Sequence, residues 1–266
     1  MSYDMTGQQS STKYRVPALE KGLDILEALA FVSAPQSLAD LARTLGRSSS
    51  EIFRMLNCLE ARHYIARDEH SGNYALTLKL YELAHTHSPV EQLLRVAAQP
   101  MEELAQTLRE SCHLSVLHQG WLVVLSQALS PEPVRLSVEV GGRFSMVHNV
   151  SGRLLLAQLP ATERIALLGQ DQDYQALSLA ERQLFEAELG NIRRQGYATT
   201  RDENHIGVSD CAVLVGSPEA GVTAALTSAW LTATITPGDS TKILTGLRHC
   251  ADQMTLALGF RPIYAG

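Results

Sequence analysis

The sequence predicts an α+β chain built in two parts. Three observations predict it. Apolar residues recur at helical spacing from Pro17 to about residue 62 and then give way to a strand–turn–strand pattern. From Cys112 onward, short strand-like runs alternate with amphipathic helical ones. Between the two parts lies TLKLYELAHTH, helical in pattern and polar on one side.

Each element follows from local chemistry. Pro17 suits the first turn of a helix. Leu19, Leu23, Leu26 and Leu29 or Ala30 then space a helix over about 17–31. SAPQ breaks it. Ser37 caps LADLARTL, whose Leu38, Leu41, Ala42 and Leu45 share a face, and Gly46 ends it. Ile52, Met55, Leu56 and Leu59 form the stripe of a third helix over about 49–62. Two short helices joined by a glycine-containing turn make a helix-turn-helix. HYIARDEHSGNYAL follows as a hairpin, with Tyr64 and Ile65 leading in, DEHSGN turning and Tyr74 to Leu76 leading out. A hairpin directly after the third helix is the wing of a winged helix. The module spans about 14–77, preceded by a polar, flexible tail over 1–13 that lacks the apolar stretch of a signal peptide. A linker helix takes 78–88.

In the second part, Pro89 restarts the chain, and Pro100 divides VEQLLRVAA from PMEELAQTLRES, which predicts two amphipathic helices. HLSVLH, WLVVLSQA and VRLSVEV read as strands, with Gly120 and SPEP as turns and GGRFSMVHNVSG as a loop. RLLLAQL, ATERIALLG and LAERQLFEAELGNIRRQG read as helices. CAVLVG and VTAALTSAWL are strands joined by SPEAG, and a last helix covers about 239–259. An antiparallel sheet with helices around it is an α+β domain, here 89–262.

Composition narrows the function. A net charge of -6 argues against a generally basic, non-specific nucleic-acid binder, while leaving room for a small DNA-reading module. The four cysteines are far apart and form no CxxC pair, which argues against a disulfide framework or structural zinc and for reduced thiols in a cytoplasm. No run of 18 apolar residues exists, so no transmembrane helix and no membrane partner is expected. There is no phosphate loop, HExxH or GxSxG. Cys112 and His113 are strand neighbours and point to opposite faces, which prevents a nucleophile–base pair. His85 and His87, two apart on a helix, are a poor metal pair. No catalytic residue, metal or cofactor is expected.

The stretches ALEKGLDILEAL, QSLADLARTLG, EIFRMLNCLEARHYI and SGNYAL, followed by HLSVL, RLSVEVGGR, SGRLLLAQLP, GYATTRDENHIGVSDCAVLV and AALTSAW, resemble the IclR family of bacterial transcription regulators. The resemblance covers about 16–259 and rests on the order and spacing of these stretches. It implies an N-terminal winged helix, a linker helix and a GAF/PAS-like effector-binding domain. It also implies a homodimer or homotetramer on palindromic double-stranded DNA.

In a winged helix the second helix of the helix-turn-helix lies in the major groove. With Ile52, Met55, Leu56 and Leu59 inward, Ser49, Ser50, Phe53, Arg54 and Asn57 face outward. Arg54 can fork onto guanine, Asn57 can pair with adenine and Phe53 can touch a thymine methyl. Ser37 and Ser48 add small hydroxyls, and Arg67 and Asn73 are the wing's candidates. The module is not basic by count: Arg43, Arg47, Arg54, Arg62 and Arg67 face Asp40, Glu51, Glu60, Asp68 and Glu69. Glu51 has two readings. It closes a capping box with Ser48, or it accepts from cytosine N4.

For the effector domain the resemblance implies a pocket at Leu136, Val147, His148, Val150, Ser151, Gly152, Asp210, Thr227 and Ala229, bordered by Asp202. A helix starting near Ser151 offers free N–H groups and a positive dipole end that suit a carboxylate. The expected effector is therefore a small organic acid. Two positions depart from the family pattern: Val147 takes a histidine's place with His148 one residue on, and Asp210 stands where relatives carry small or sulfur-containing side chains. An anionic ligand beside a buried Asp210 is repelled, so either Asp210 points away or merely caps a strand edge, or the ligand brings a donor or positive group. The alternative from another class is a metabolic enzyme or ligand carrier with an accessory winged helix, which would show no sequence-specific DNA binding.

Overall fold

The computed structural model describes residues 16–264 apart from 33, 86–88, 204 and 233–236. The expected tail over 1–13 and the end of the linker segment lie outside the described residues. The chain divides into two compact units, Met1–Ser88 and Pro89–Gly266.

The first unit is a winged helix: α1 (Pro17–Ala30), α2 (Leu38–Thr44), α3 (Ser49–Ala61), then β1 (Ile65–Arg67) and β2 (Tyr74–Leu76). A short helix, α4 (Lys79–His85), follows. Gly46 supplies the left-handed residue, φ 61°, that ends α2. Around it Arg47 N–H donates to Ala42 O and Gly46 N–H to Arg43 O, which answers the last carbonyls of α2 and aims the chain into α3. The strands pair antiparallel, Ile65 opposite Leu76 and Arg67 opposite Tyr74, and Gln36 bridges to Tyr74.

The core of this unit is Ile25, Ala28, Leu29, Leu41, Ala42, Ile52, Leu56, Ile65 and Tyr74. It corrects the reading of α1. Leu19 and Leu23 are exposed, while Ile25, Ala28 and Leu29 turn inward. At about 100° per residue the two sets lie on nearly opposite sides of the helix. The helix carries two apolar stripes, and its own unit covers one.

The second unit is α+β. Its six-stranded antiparallel sheet has the order β5-β4-β3-β8-β7-β6. The strands are β3 (Cys112–His118), β4 (Trp121–Ala128), β5 (Arg143–Phe144), β6 (Tyr197–Arg201), β7 (Val208–Ser217) and β8 (Val222–Leu231). The helices are α5 (Pro89–Leu108), α6 (Val150–Gln158), α7 (Ala161–Leu168), α8 (Gln172–Ala176), α9 (Leu179–Gln195) and α10 (Pro237–Ala257). Strand alternation sorts the side chains of β7 and β8. Cys211, Val213, Val215, Leu226 and Trp230 pack with α5 and α10. Ala212, Leu214 and Ala225 pack with α6 and α9.

Three expectations are corrected. Pro100 does not split the chain into two helices, because α5 runs unbroken through it. The missing N–H and ring clash are outweighed by one continuous buried face, Leu93, Ala97, Met101, Leu104 and Ala105, on both sides of the proline. VRLSVEV is not a strand: residues 134–140 lie outside any strand. With its nitrogen turned to Val138 O and its oxygen to Val138 N–H, the Gln127 amide bonds both groups, at 3.0 and 2.8 Å, in place of a neighbouring strand. A two-residue strand, β5, sits instead inside the expected loop, and β6 and α8 had no separate sequence signal.

The sheet's edge is closed by a side chain. β6 stops pairing with β7 at Tyr197 opposite Val213. The next N–H, of Leu214, donates to the Tyr264 hydroxyl at 2.8 Å, which in turn donates to Gly196 O at 2.6 Å. Removing that hydroxyl leaves a partly buried N–H bare, at a cost of about 1–3 kcal/mol. Tyr264→Phe is expected to lower the stability of this unit by that amount in urea titration, with an unchanged m-value.

Candidate DNA interface and effector site

The entrance of α3 is built by charge pairs to α1. Glu51 Oε1 accepts from Lys21 Nζ at 3.0 Å. Its Oε2 accepts from Ser48 N–H at 3.1 Å and from the Ser48 hydroxyl at 2.8 Å. One residue before Ser48, Arg47 pairs with Asp24 of α1 at 2.7 Å. The Lys21 ammonium, then the Ser48 N–H and hydroxyl, hold the Glu51 carboxyl well down, at about 2. Of the two readings of Glu51, the geometry supports the cap, since both oxygens are already engaged by the protein. Lys21 and Asp24 were missed by the sequence reading. Their i,i+3 spacing puts them on one face of α1, a signal that becomes legible once α3 is known to cross that face.

The outward set of α3 is as expected from spacing. Ile52 and Leu56 are buried and Met55 and Leu59 partly so, while Ser49, Ser50, Phe53, Arg54 and Asn57 are exposed. Two serines are committed elsewhere. Ser37 caps α2, its hydroxyl accepting from Asp40 N–H and donating to the Asp40 carboxylate at 2.6 Å. Ser48 is engaged with Glu51 and lies 3.2 Å from the Ser50 hydroxyl. On the wing, Arg67 donates to Gly72 O at 3.3 Å and lies over the Tyr74 ring. Asp68 accepts from the N–H groups of His70 and Ser71 and so shapes the turn. Asn73 is half-buried, and its carbonyl accepts from Asp68 N–H.

In the second unit, α6 covers only part of its sheet face. Beneath it lie Ala198, Ala212, Leu214 and Ala225. Beyond its N-terminus the same face turns polar. Register puts Thr200 opposite Asp210, Asp210 opposite Ala229, Ala212 opposite Thr227 and Thr227 opposite His113. The Ser151 hydroxyl at the start of α6 meets the Thr227 hydroxyl at 2.7 Å, both buried. Gly152 is required there, because a Cβ would lie 2.3 Å from Met146 O. The 145–149 loop therefore rests directly on the first turn of α6, with Val147 and Val150 buried in the core.

Other predicted positions border this group. Arg153 donates to Val147 O at 2.8 Å and pairs with Glu188 at 3.0 Å and Glu203 at 2.8 Å. Its fork ties α6 to α9 and to the turn after β6. Asp202 has φ 57°, and its carboxylate accepts from Gly207 N–H at 2.7 Å, so it shapes that turn. His148 is exposed, 3.9 Å from Asp173. Leu136 borders a cavity of about 620 Å³ whose other walls include Leu108 of α5 and Ile243 of α10, so the structure places it toward α5 and α10 and not with Ser151, Thr227 and Ala229. A second cavity, about 580 Å³, touches Asp210 and Thr200 but is walled mainly by Tyr197, Cys211, Trp230 and Ser240, Thr241 and Leu244 of α10, on the α5 and α10 side of the sheet. Burial pushes the Asp210 carboxyl above its usual range, and Glu203 adds to this while Thr200 and His205 oppose it.

His113 and Thr200 belong to the polar patch and were not chosen from sequence. Alternation from Cys112 was the available signal, since Cys112 faces the other way and donates to Met101 O at 3.5 Å. Burial lowers the His113 imidazole to about 4. Between pH 4 and the usual value near 6.5 the unfolded chain takes up a proton that the folded chain does not. His113 therefore weakens the fold as pH falls through that window. Stability measured between pH 7.5 and 4.5 should fall more steeply for the native chain than for His113→Gln. Gly152→Ala should destabilise the unit by more than about 2 kcal/mol, because backbone rather than a flexible side chain blocks the new methyl.

Comparison with known proteins places the chain. The family described as IclR helix-turn-helix domain matches residues 18–69, and bacterial transcriptional regulator IclR C-terminal matches residues 87–256. The HTH-type transcriptional regulator XynR of Escherichia coli is 27% identical over 92% of this chain and 98% of that protein. The glycerol operon regulatory protein of Streptomyces coelicolor is 27% identical over 74% of this chain and 78% of that one. Among solved structures, an IclR homolog from Microbacterium hydrocarbonoxydans complexed with 4-hydroxybenzoate aligns at a TM-score of 0.77, with 24% identity over 91% of this chain and 99% of that one. The Thermotoga maritima IclR aligns at 0.68, with 18% identity over 91% and 98%. With both of its units matched, the chain belongs to the IclR family of bacterial transcription regulators, DNA-binding proteins with a C-terminal effector domain.

Proposed function

We propose that a winged helix over 14–77 reads a palindromic operator as part of a homodimer or homotetramer, and that an effector domain over 89–262 adjusts its grip through the 78–88 linker. The exposed side of α3 carries the reading. Ser49, Ser50, Phe53, Arg54 and Asn57 project from a helix whose entrance is pinned to α1. Arg54 forks onto guanine and Asn57 bonds adenine. Arg67 and Asn73 track the wing's backbone contacts. The uncovered stripe of α1, Leu19 and Leu23, together with exposed Leu80, Tyr81 and Leu83 of α4, supports association between copies. The protein works in the cytoplasm, where its DNA is; no helix among the described residues is long and apolar enough to cross a membrane.

The effector is a small organic molecule held beyond the start of α6, among Val147, Ser151, Thr227, Ala229 and Asp210. The likeness to a structure holding 4-hydroxybenzoate supports a ligand of that size. A useful change in operator affinity needs a coupling of about 1–3 kcal/mol between the two sites.

Titration against the chain's own promoter region at fixed salt tests the reading. Arg54→Ala should weaken binding by about 1–3 kcal/mol, and Glu51→Gln should leave the preferred sequence unchanged. Binding that ignores sequence in the native chain would sink the regulator reading. A changed base preference in Glu51→Gln would return that residue to the reading set.

A further inference from the structure

The α10 side of the sheet carries a row of hydrogen-bond donors at one end. Register puts Arg201 of β6 opposite Ser209 of β7, and Ser209 opposite Trp230 of β8. Alternation turns all three to the side of Cys211 and Val213, toward α5 and α10. Ser209 and Trp230 are each only 6% exposed. Among the described residues nothing bonds the Ser209 hydroxyl or the Trp230 indole N–H, and both residues line the cavity of about 580 Å³. Buried polar groups are paired as a rule. Two idle ones side by side on a cavity wall point to a ligand.

The rest of the cavity narrows what fits. Tyr197, Cys211 and Leu244 join the Trp230 ring in an apolar wall. Ser240 and Thr241 face them from the first turns of α10, a 21-residue helix whose leading N–H groups have no acceptor within the helix. Arg201 stands exposed at the rim, 3.6 Å from Asp202, a surface pairing that leaves most of its donors open. The neighbouring acids are occupied. Glu203 pairs with Arg153 at 2.8 Å, and Asp202 accepts from Gly207 N–H at 2.7 Å. Asp210 alternates to the α6 side, where it accepts from the Thr200 hydroxyl at 3.2 Å, and His205, exposed on the turn, offsets part of its charge. The groups left open to the cavity are a guanidinium, a hydroxyl and an indole N–H, beside an aromatic wall.

We propose that this cavity is a second small-molecule site, on the opposite side of the sheet from the effector position proposed above, and that it takes a small aromatic carboxylate. The carboxylate accepts from Ser209 and Trp230 with Arg201 beside it, and the ring lies against Tyr197 and Leu244. Bonds from these donors to an ionised acceptor are stronger than bonds to a neutral one, so the site prefers the acid to an alcohol of the same shape. A volume of about 580 Å³ suits a molecule of that size. The proposal goes beyond the effector reading, and its failure leaves that reading standing.

The chain has two tryptophans, so Trp121→Phe leaves Trp230 as the one indole that emits. The full chain carrying that change is titrated with benzoate, benzyl alcohol and benzylamine near neutral pH, and calorimetry on the native chain gives the affinities. Benzoate should change the Trp230 emission saturably. Benzyl alcohol and benzylamine should bind about tenfold more weakly or worse. Arg201→Gln, Ser209→Ala and Trp230→Phe should each weaken benzoate about tenfold by calorimetry, with urea midpoints near the native one as the control for folding. Arg201 is exposed, so its variant keeps the test open if a buried one unfolds. Benzoate that binds with a silent Trp230 and equal affinity in all three variants sits elsewhere and overturns the site. Loss of benzoate in Thr227→Val with full binding in Ser209→Ala would assign the acid to the α6 side and overturn it too. No heat of binding at millimolar benzoate would do the same.

Discussion

Alternation along the β7–β8 hairpin is the constraint on which the second unit depends. Ten register pairs run from Val208 opposite Leu231 to Ser217 opposite Val222. Every second residue must face α5 and α10, and the residues between must face α6 and α9. The tip obeys the same economy of space: Gly216 has φ 94°, and a side chain there would lie 2.2 Å from Val222 O. A one-residue slip would carry Val213 and Leu226 out of one core and bring Asp210 and Thr227 into it. The register thus decides which side of the sheet can be polar, and so where a ligand can be recognised.

The first unit solves a different problem with similar means. A helix that meets DNA must be rigid yet leave its outer side chains uncommitted. The wing and α1 do the holding. Glu51 places a negative charge at the positive end of α3, where it costs little and joins two helices. The exposed face then carries Arg54, Asn57 and small hydroxyls, and in the reading proposed above a chain of net negative charge presents there a local surface to a polyanion.

What was legible in the sequence follows from the range of each cause. Caps and turns act over three or four residues, so Ser37, Gly46 and the DEHSGN hairpin could be read directly. The β8 strand, VTAALTSAWL, was delimited by its flanking turn. Pro100 misled because local propensity was set against a buried face visible only after α5 is packed. Leu19 and Leu23 misled because a second apolar stripe has the same periodicity as the first. Of the residues implied by the family resemblance, Ser151, Asp210, Thr227 and Ala229 share one side of the sheet, while His148 is exposed and Leu136 borders a cavity against α5 and α10. Neighbours such as His113, Thr200 and Lys21 needed the register or the helix crossing, which no single segment contains.

The Ser228 hydroxyl donates to the Ser111 carbonyl at 3.0 Å across 117 residues of chain. The pairing beside it, Cys112 opposite Ser228, is the seam between two hairpins formed far apart in sequence. Each hairpin can close locally, but the seam joins residues separated by the whole stretch that contains α6, α7, α8 and α9. Closing so long a loop costs entropy before any contact across it is gained, and rates fall as such contacts dominate. The winged helix, whose contacts span a few tens of residues, is free to form early. The effector-binding half of the molecule is thus the slow half to fold, and the one whose hairpins are exposed longest as unpaired strand edges.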